Sequence, residues 1–166
     1  MESWSIEIDK EYLKFSAAHF LIFPDGSAER LHGHNYRVYV AVEGALTEHG
    51  LVLDFKRVKR VVREMVDALD EHWLIPGRHP VLKWSERADG VVEVRYLERY
   101  YAAPKVDVIV LPINNTSAEN LAGWLGYELL RRLHARFPEA DLRAARVAVE
   151  ETPGQRGVWD WRRDPI

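Results

Sequence analysis

Cysteine is absent from the 166 residues. That absence excludes disulfides, thiolate metal sites and cysteine nucleophiles together. No run reaches the roughly 18 apolar residues that a membrane helix needs. The N-terminal Met1-Glu2-Ser3-Trp4-Ser5 has neither the basic start nor the apolar core of a secretory signal, so a cytoplasmic setting is expected. Basic charge is in short supply too. With 23 Lys and Arg against 26 Asp and Glu, the net charge is −3 and the pI near 6.2, which gives no electrostatic footprint for nucleic acid. Internal repeats, low-complexity tracts and linkers are also missing. What is present, 47% apolar and 30% charged residues, fits a single globular domain over 1–166 with a core of its own.

Seven histidines carry most of the chemical interest. Tyr36 to Gly44 alternates as a half-buried strand does. Extended back to His32, the alternation puts His32, His34, Tyr36, Val38, Val40 and Val42 on one face. Leu13, Phe15, Ala17 and His19 share a parity upstream, and Pro24-Asp25-Gly26 supplies a turn that lets the two segments pair antiparallel. His19, His32 and His34 then converge. Three neutral imidazoles suit Zn2+ and leave a fourth position open for a substrate oxygen or water, as in a catalytic rather than a structural site. His49 and His134 read as solvated, and His79 lies in a loop without a pattern.

The remaining order is strand, strand, helix, insertion, helix, strand. Asp54 is a natural N-cap for a helix whose apolar stripe is Phe55, Val58, Val62, Met65 and Leu69. Within an insertion at about 76–112, Val91 to Leu97 and Val106 to Leu111 read as strands. Thr116 with Glu119 fits a capping box for a second helix, whose apolar row is Leu121, Leu125, Leu129 and Leu133 and which Pro138 stops. A last strand runs from Ala145 to Thr152.

Six short motifs follow one another in a fixed order: Phe15-Ser-Ala-Ala-His19, Leu31-His-Gly-His-Asn-Tyr36, Gly50-x-Val52-x-Asp54-Phe55, Leu69-Asp70-Glu71-His72, Ser117-Ala-Glu-Asn-Leu-Ala122 and Val147-x-Val149-x-Glu151-Thr152. In this the chain resembles the 6-pyruvoyl-tetrahydropterin synthase and 6-carboxytetrahydropterin synthase family. The resemblance implies an α+β tunnelling fold, an antiparallel sheet with two helices packed on one face. It also implies trimers that stack into a hexamer, with active sites between subunits and a pterin as substrate.

Carried over by resemblance, His19, His32 and His34 are the zinc ligands. Glu151 holds the pterin's amino-pyrimidine edge, where a carboxylate can accept two hydrogen bonds side by side. Glu119, Thr116 and Ser117 fall where the family contacts the pterin, although capping accounts for Thr116 and Ser117 as well. His72 with Asp70 matches a proton-moving Asp-His pair, but Glu71 intervenes, so either acid could be the partner. The catalytic cysteine that usually precedes His-Gly-His is missing, and Glu29 stands three residues before His32. This resembles the type III branch, in which a glutamate replaces the cysteine and dihydroneopterin is cleaved to 6-hydroxymethyl-7,8-dihydropterin. Two alternatives remain: synthesis of 6-pyruvoyl- or 6-carboxy-tetrahydropterin, and non-catalytic pterin binding.

Overall fold

Alternation of apolar side chains builds the main sheet in the computed structural model, which describes residues 2–164. The first strand, β1 (Trp4–His19), runs antiparallel to β2 (His32–Gly44). Ile6 and Ile8 bury at even positions of β1, whereas Leu13, Phe15, Ala17 and His19 bury at odd ones. A bulge between Asp9 and Lys14 reconciles them. The paired residue numbers sum to 48 before it (Asp9↔Tyr39) and 51 after it (Lys14↔Arg37), and an odd slip reverses which parity faces the core.

The chain continues through α1 (Phe55–Asp67), β3 (His72–Pro76), β4 (Lys83–Glu86), β5 (Val91–Tyr96), β6 (Arg99–Pro104), β7 (Val108–Leu111), α2 (Ala118–Arg136), β8 (Leu142–Thr152) and β9 (Gln155–Arg162). The six-stranded sheet has the order β7-β3-β1-β2-β8-β9. Its four strands β1, β2, β8 and β9 are antiparallel, as expected. β3 and β7 add parallel to β1 and to each other, so the whole sheet is mixed. Both helices pack on the inward face, where Val58, Val62, Met65, Leu121, Leu125 and Leu129 meet Phe15, Tyr36, Val38 and Val147 in one core.

Several expected details differ. Asp54 caps α1 by accepting from Lys56 N–H, but Phe55 is 51% exposed, because the first helical residue points off the buried stripe. The N-cap of α2 is Ser117, whose Oγ accepts from Asn120 N–H at 3.3 Å; Thr116 lies one residue too early and Glu119 one turn position too early for the expected capping box. Residues 76–112 divide between two sheets. Strands β4, β5 and β6 form a separate antiparallel meander, Lys105–Asp107 is a 3-10 turn, and β7 returns to the main sheet. The meander closes a second core with Phe20, Ile22, Trp73, Ile75, Val92, Val94 and Tyr96. The terminal hairpin strand β9 lays Trp159 against α2 at Gly126, where a β-carbon would meet the indole at 2.1 Å.

Candidate functional site

The β1–β2 pairing puts His19 directly opposite His32 and Ala17 opposite His34. All three imidazoles project to the helix-covered face beside Tyr36, and one nitrogen from each lies within 4.8 Å of the others. Backbone carbonyls orient two of the rings. His19 Nδ1–H donates to Thr116 O at 2.9 Å and His32 Nδ1–H to Arg30 O at 2.6 Å. A carbonyl can only accept, so each Nε2 is left with its lone pair free, the tautomer that metal ligation requires. His32 Nε2 and His34 Nε2 stand 2.9 Å apart, and His19 Nε2 is buried with no hydrogen-bond partner. A buried lone pair without a donor is costly unless something ligates it. Burial pushes the His19 imidazole down to about 4; the Thr116 carbonyl and Glu29 oppose this, and His32 and His34 add to it. Three converging imidazole nitrogens, one of them buried without a partner, are the donor set that zinc takes, so the residues present fit the metal.

Two carboxylates flank the trio. Glu151 Oε1 lies 3.2 Å from His34 Nε2, and Glu29 Oε2 lies 3.8 Å from His32 Nε2. Glu29 Oε2 also accepts the Leu21 N–H at 3.1 Å. Glu150, by contrast, turns to the opposite face and pairs with Arg156 at 2.8 Å. Tyr36 closes the floor. Its hydroxyl is buried without a partner, and burial first, then Glu151 and Glu29, hold its proton on well above the usual phenol range.

Thr116 does structural work here. Its Oγ1 donates to Phe20 O at 3.3 Å while its carbonyl receives His19. Asn115 supports the same segment, donating to Ile22 O at 2.9 Å and accepting from Ile22 N–H at 3.3 Å. The sequence reading passed over Asn115. Its signal was a polar Asn-Asn-Thr-Ser run, more side chains than a helix cap needs. Ser117 is occupied in capping α2, and Glu119 is exposed in the first turn.

His72 and Asp70 do not pair through their side chains. His72 Nδ1–H donates to the backbone carbonyl of Asp70 at 2.6 Å, and the Asp70 carboxylate accepts the Ser16 N–H at 2.7 Å. Glu71 takes a left-handed backbone (φ 59°), its N–H donates to Ser16 O, and no hydrogen bond among the described residues joins its carboxylate to His72. The turn that seats β3 beside β1 therefore uses the carboxylate of Asp70 but only the N–H of Glu71, whose side chain lines a cleft with His72. That cleft, of about 500 Å³, is lined also by Ser16, His34, Asn35, Trp73 and Asp107.

An α+β sheet with two backing helices, a metal-capable trio and two carboxylates defines a small-molecule site. Comparison with known proteins identifies its kind. Residues 7–160 match the family model for 6-pyruvoyl tetrahydropterin synthase. A Methanocaldococcus jannaschii protein provisionally named 6-carboxy-5,6,7,8-tetrahydropterin synthase is 33% identical over 144 residues, 86% of each chain. Among solved structures, the 6-pyruvoyl tetrahydropterin synthase of Plasmodium falciparum superposes with a TM-score of 0.89 at 26% identity, covering 96% of this chain and 98% of that one. A Plasmodium vivax enzyme described as a catalytic residue mutant, with a glutamate changed to alanine, gives 0.90 at 26% identity and covers 98% and 99%. The chain belongs to the 6-pyruvoyl tetrahydropterin synthase family and has its tunnelling fold. No helix among the described residues is long and apolar enough to cross a membrane.

Proposed function

We propose that this family member cleaves the side chain of 7,8-dihydroneopterin, as such or as its triphosphate, to 6-hydroxymethyl-7,8-dihydropterin, a folate precursor. The observation that carries this reading is Glu29, whose carboxylate lies 3.8 Å from His32 Nε2 in a chain with no cysteine to act in its place. The Plasmodium vivax enzyme, with its glutamate described as a catalytic residue, supports it.

In this reading His19, His32 and His34 hold a zinc ion, which when bound supplies Lewis acidity toward the side-chain hydroxyls. Glu151 accepts the ring N–H and 2-amino group of the pterin, which sets the side chain over the trio. Glu29 takes the proton of the 2′-hydroxyl. The C2′–O bond becomes a carbonyl as the C1′–C2′ bond breaks, and its electron pair passes into the pterin ring. Glu29, or His72 across the cleft, returns a proton to C1′. The products are the hydroxymethyl pterin and a two-carbon aldehyde fragment. Assembly as a hexamer of two stacked trimers belongs to the same reading, with a neighbouring subunit completing the pocket.

A second reading, synthesis of 6-carboxytetrahydropterin, is favoured by the name of the Methanocaldococcus jannaschii relative. Product analysis decides between them. The zinc-loaded protein is incubated with 7,8-dihydroneopterin and, separately, its triphosphate, and the pterins are resolved by chromatography and mass spectrometry. The expected product is 6-hydroxymethyl-7,8-dihydropterin; a carboxy or pyruvoyl pterin would overturn the proposal.

A further inference from the structure

Glu29 stands on an irregular loop between β1 and β2, and such a loop does not hold a carboxylate to a fraction of an ångström without support. The loop's own backbone bonds are few. Phe23 N–H donates to Ser27 O at 2.8 Å, Gly26 N–H to Phe23 O at 2.9 Å and Glu29 N–H to Leu21 O at 2.9 Å, with a single bridge between Ile22 and Ala28. Asn115 ties down Ile22 at the start of the loop, and the β4–β6 meander holds its later part. At the turn joining β5 to β6, the Tyr96 hydroxyl donates to Gly26 O at 2.7 Å. The Arg99 guanidinium donates through Nη2 to Ala28 O at 2.8 Å and through Nη1 to Glu29 O. Two residues of the meander thus take three carbonyls of one short loop. Beneath them, Ile22 and Ala28 pack against Val92, Val94 and Tyr101 in the second core.

We infer that Arg99 is a positioning residue for Glu29, and that the meander is the platform on which the catalytic loop is set. The inference rests on the reading of Glu29 as the proton-transfer group. Three features argue for positioning rather than hairpin stability alone. First, Arg99 forms no carboxylate pair among the described residues, so its charge is directed to two neutral carbonyls. Second, those carbonyls belong to adjacent residues, and the guanidinium meets them with two separate N–H groups held in one rigid plane, a pre-organisation that a flexible ammonium lacks. Third, one of them is the carbonyl of Glu29 itself, and the carboxylate's other anchor is the Leu21 amide at 3.1 Å. Backbone and side chain of Glu29 are therefore both held, by Leu21 just past the end of β1 and by Arg99 of the meander. Misplacement of a reacting group by about 1 Å can cost on the order of 10²-fold in rate.

The test uses the zinc-loaded protein and its Arg99→Gln, Arg99→Lys and Tyr96→Phe variants, with Arg99→Gln also made in a Glu29→Gln background. Arg99→Gln is expected to lower kcat by about tenfold or more, with KM within about twofold, and Arg99→Lys to restore only part. In the Glu29→Gln background Arg99→Gln should cost nothing further. Hydrogen exchange should show residues 20–31 losing protection in Arg99→Gln and, to a lesser degree, in Tyr96→Phe, while α2 and β8 keep theirs. Equal losses of kcat in both backgrounds, or unchanged protection of the loop, would overturn the inference alone. Full turnover by Glu29→Gln by itself would overturn the reading of Glu29 and carry the inference with it.

Discussion

His19 and Thr116 are 97 positions apart in the chain, yet the imidazole Nδ1–H of one donates to the carbonyl of the other at 2.9 Å, with both residues buried. This contact joins the end of β1 to the segment entering α2. It also fixes the tautomer that leaves Nε2 for a metal, so the helix contributes to the site without supplying a ligand.

Zinc should therefore stabilise the protein. For protein stripped with a chelator, zinc at about 100 times its Kd adds about 2.7 kcal/mol. In a chain of this size that raises Tm by on the order of 5–10 °C. His32→Ala, at a partly exposed position, should abolish the shift and leave the unloaded Tm little changed. Calorimetry with and without zinc checks this, and an equal shift in the variant would remove His32 from the ligand set.

The two carboxylates should separate kinetically. Glu29→Ala is expected to lower kcat by about 10²–10⁴-fold with metal content unchanged. Glu151→Gln should act chiefly on KM, since losing one charge-assisted pair costs about 1.5–3 kcal/mol, roughly 10- to 100-fold. Steady-state kinetics with metal analysis would contradict these roles if Glu151→Gln affected kcat alone.

Gly157→Ala should destabilise the fold. A β-carbon there would meet the backbone of Ala118 and Glu119 at 2.2 Å, at the start of α2, where neither chain can yield as a flexible side chain could. Overpacking of this kind costs about 1–3 kcal/mol, which a thermal melt would register as a loss of several degrees. An unchanged melt would mean that β9 can shift away from α2 freely.

Acid should weaken the meander through His79. Its Nδ1 accepts the N–H groups of Val81 and Leu82, each at 3.1 Å, and so must be unprotonated; burial holds its pKa below the usual value. Protons then bind the unfolded chain first. The stability His79 contributes is complete above about 6.5 and is lost as pH falls from there through the depressed folded value. The Tm difference between wild type and His79→Asn should narrow over that range, whereas a constant difference would show that His79 does not titrate in this way.

The convergence of the three imidazoles was legible in the sequence because strand alternation is a local signal and His32 and His34 sit on its inward phase. Both helices were legible from Asp54 and the leucine row of α2. The fate of Asp70 was not. Its partner, the Ser16 amide, is 54 positions away, and nothing local distinguishes a carboxylate that holds a turn from one that holds an imidazole. β9 was missed because its helix-facing row is Gly157, Trp159 and Trp161, a pattern that fits the surface of α2 and little else; Pro153-Gly154 before it was the available cue. The meander's hold on Glu29 is written in carbonyl contacts from Tyr96 and Arg99, about 70 residues distant, which leave no trace in periodicity.

The bulge in β1 makes that strand two mechanical parts on one backbone. Its first half is registered by Ile6 and Ile8 against β2, and its second half presents His19. Loss of a single residue among Lys10, Glu11 and Tyr12, all exposed, would return the slip to an even number. Ile6, Ile8 and His19 would then share one parity and face the core together without an odd slip, so the bulge is what lets the present, odd spacing serve both halves. The metal centre thus depends on the bulge itself: were β1 to pair regularly at its present length, Ile6 and Ile8 would stay seated while His19 turned to the opposite face, with none of the ligands altered.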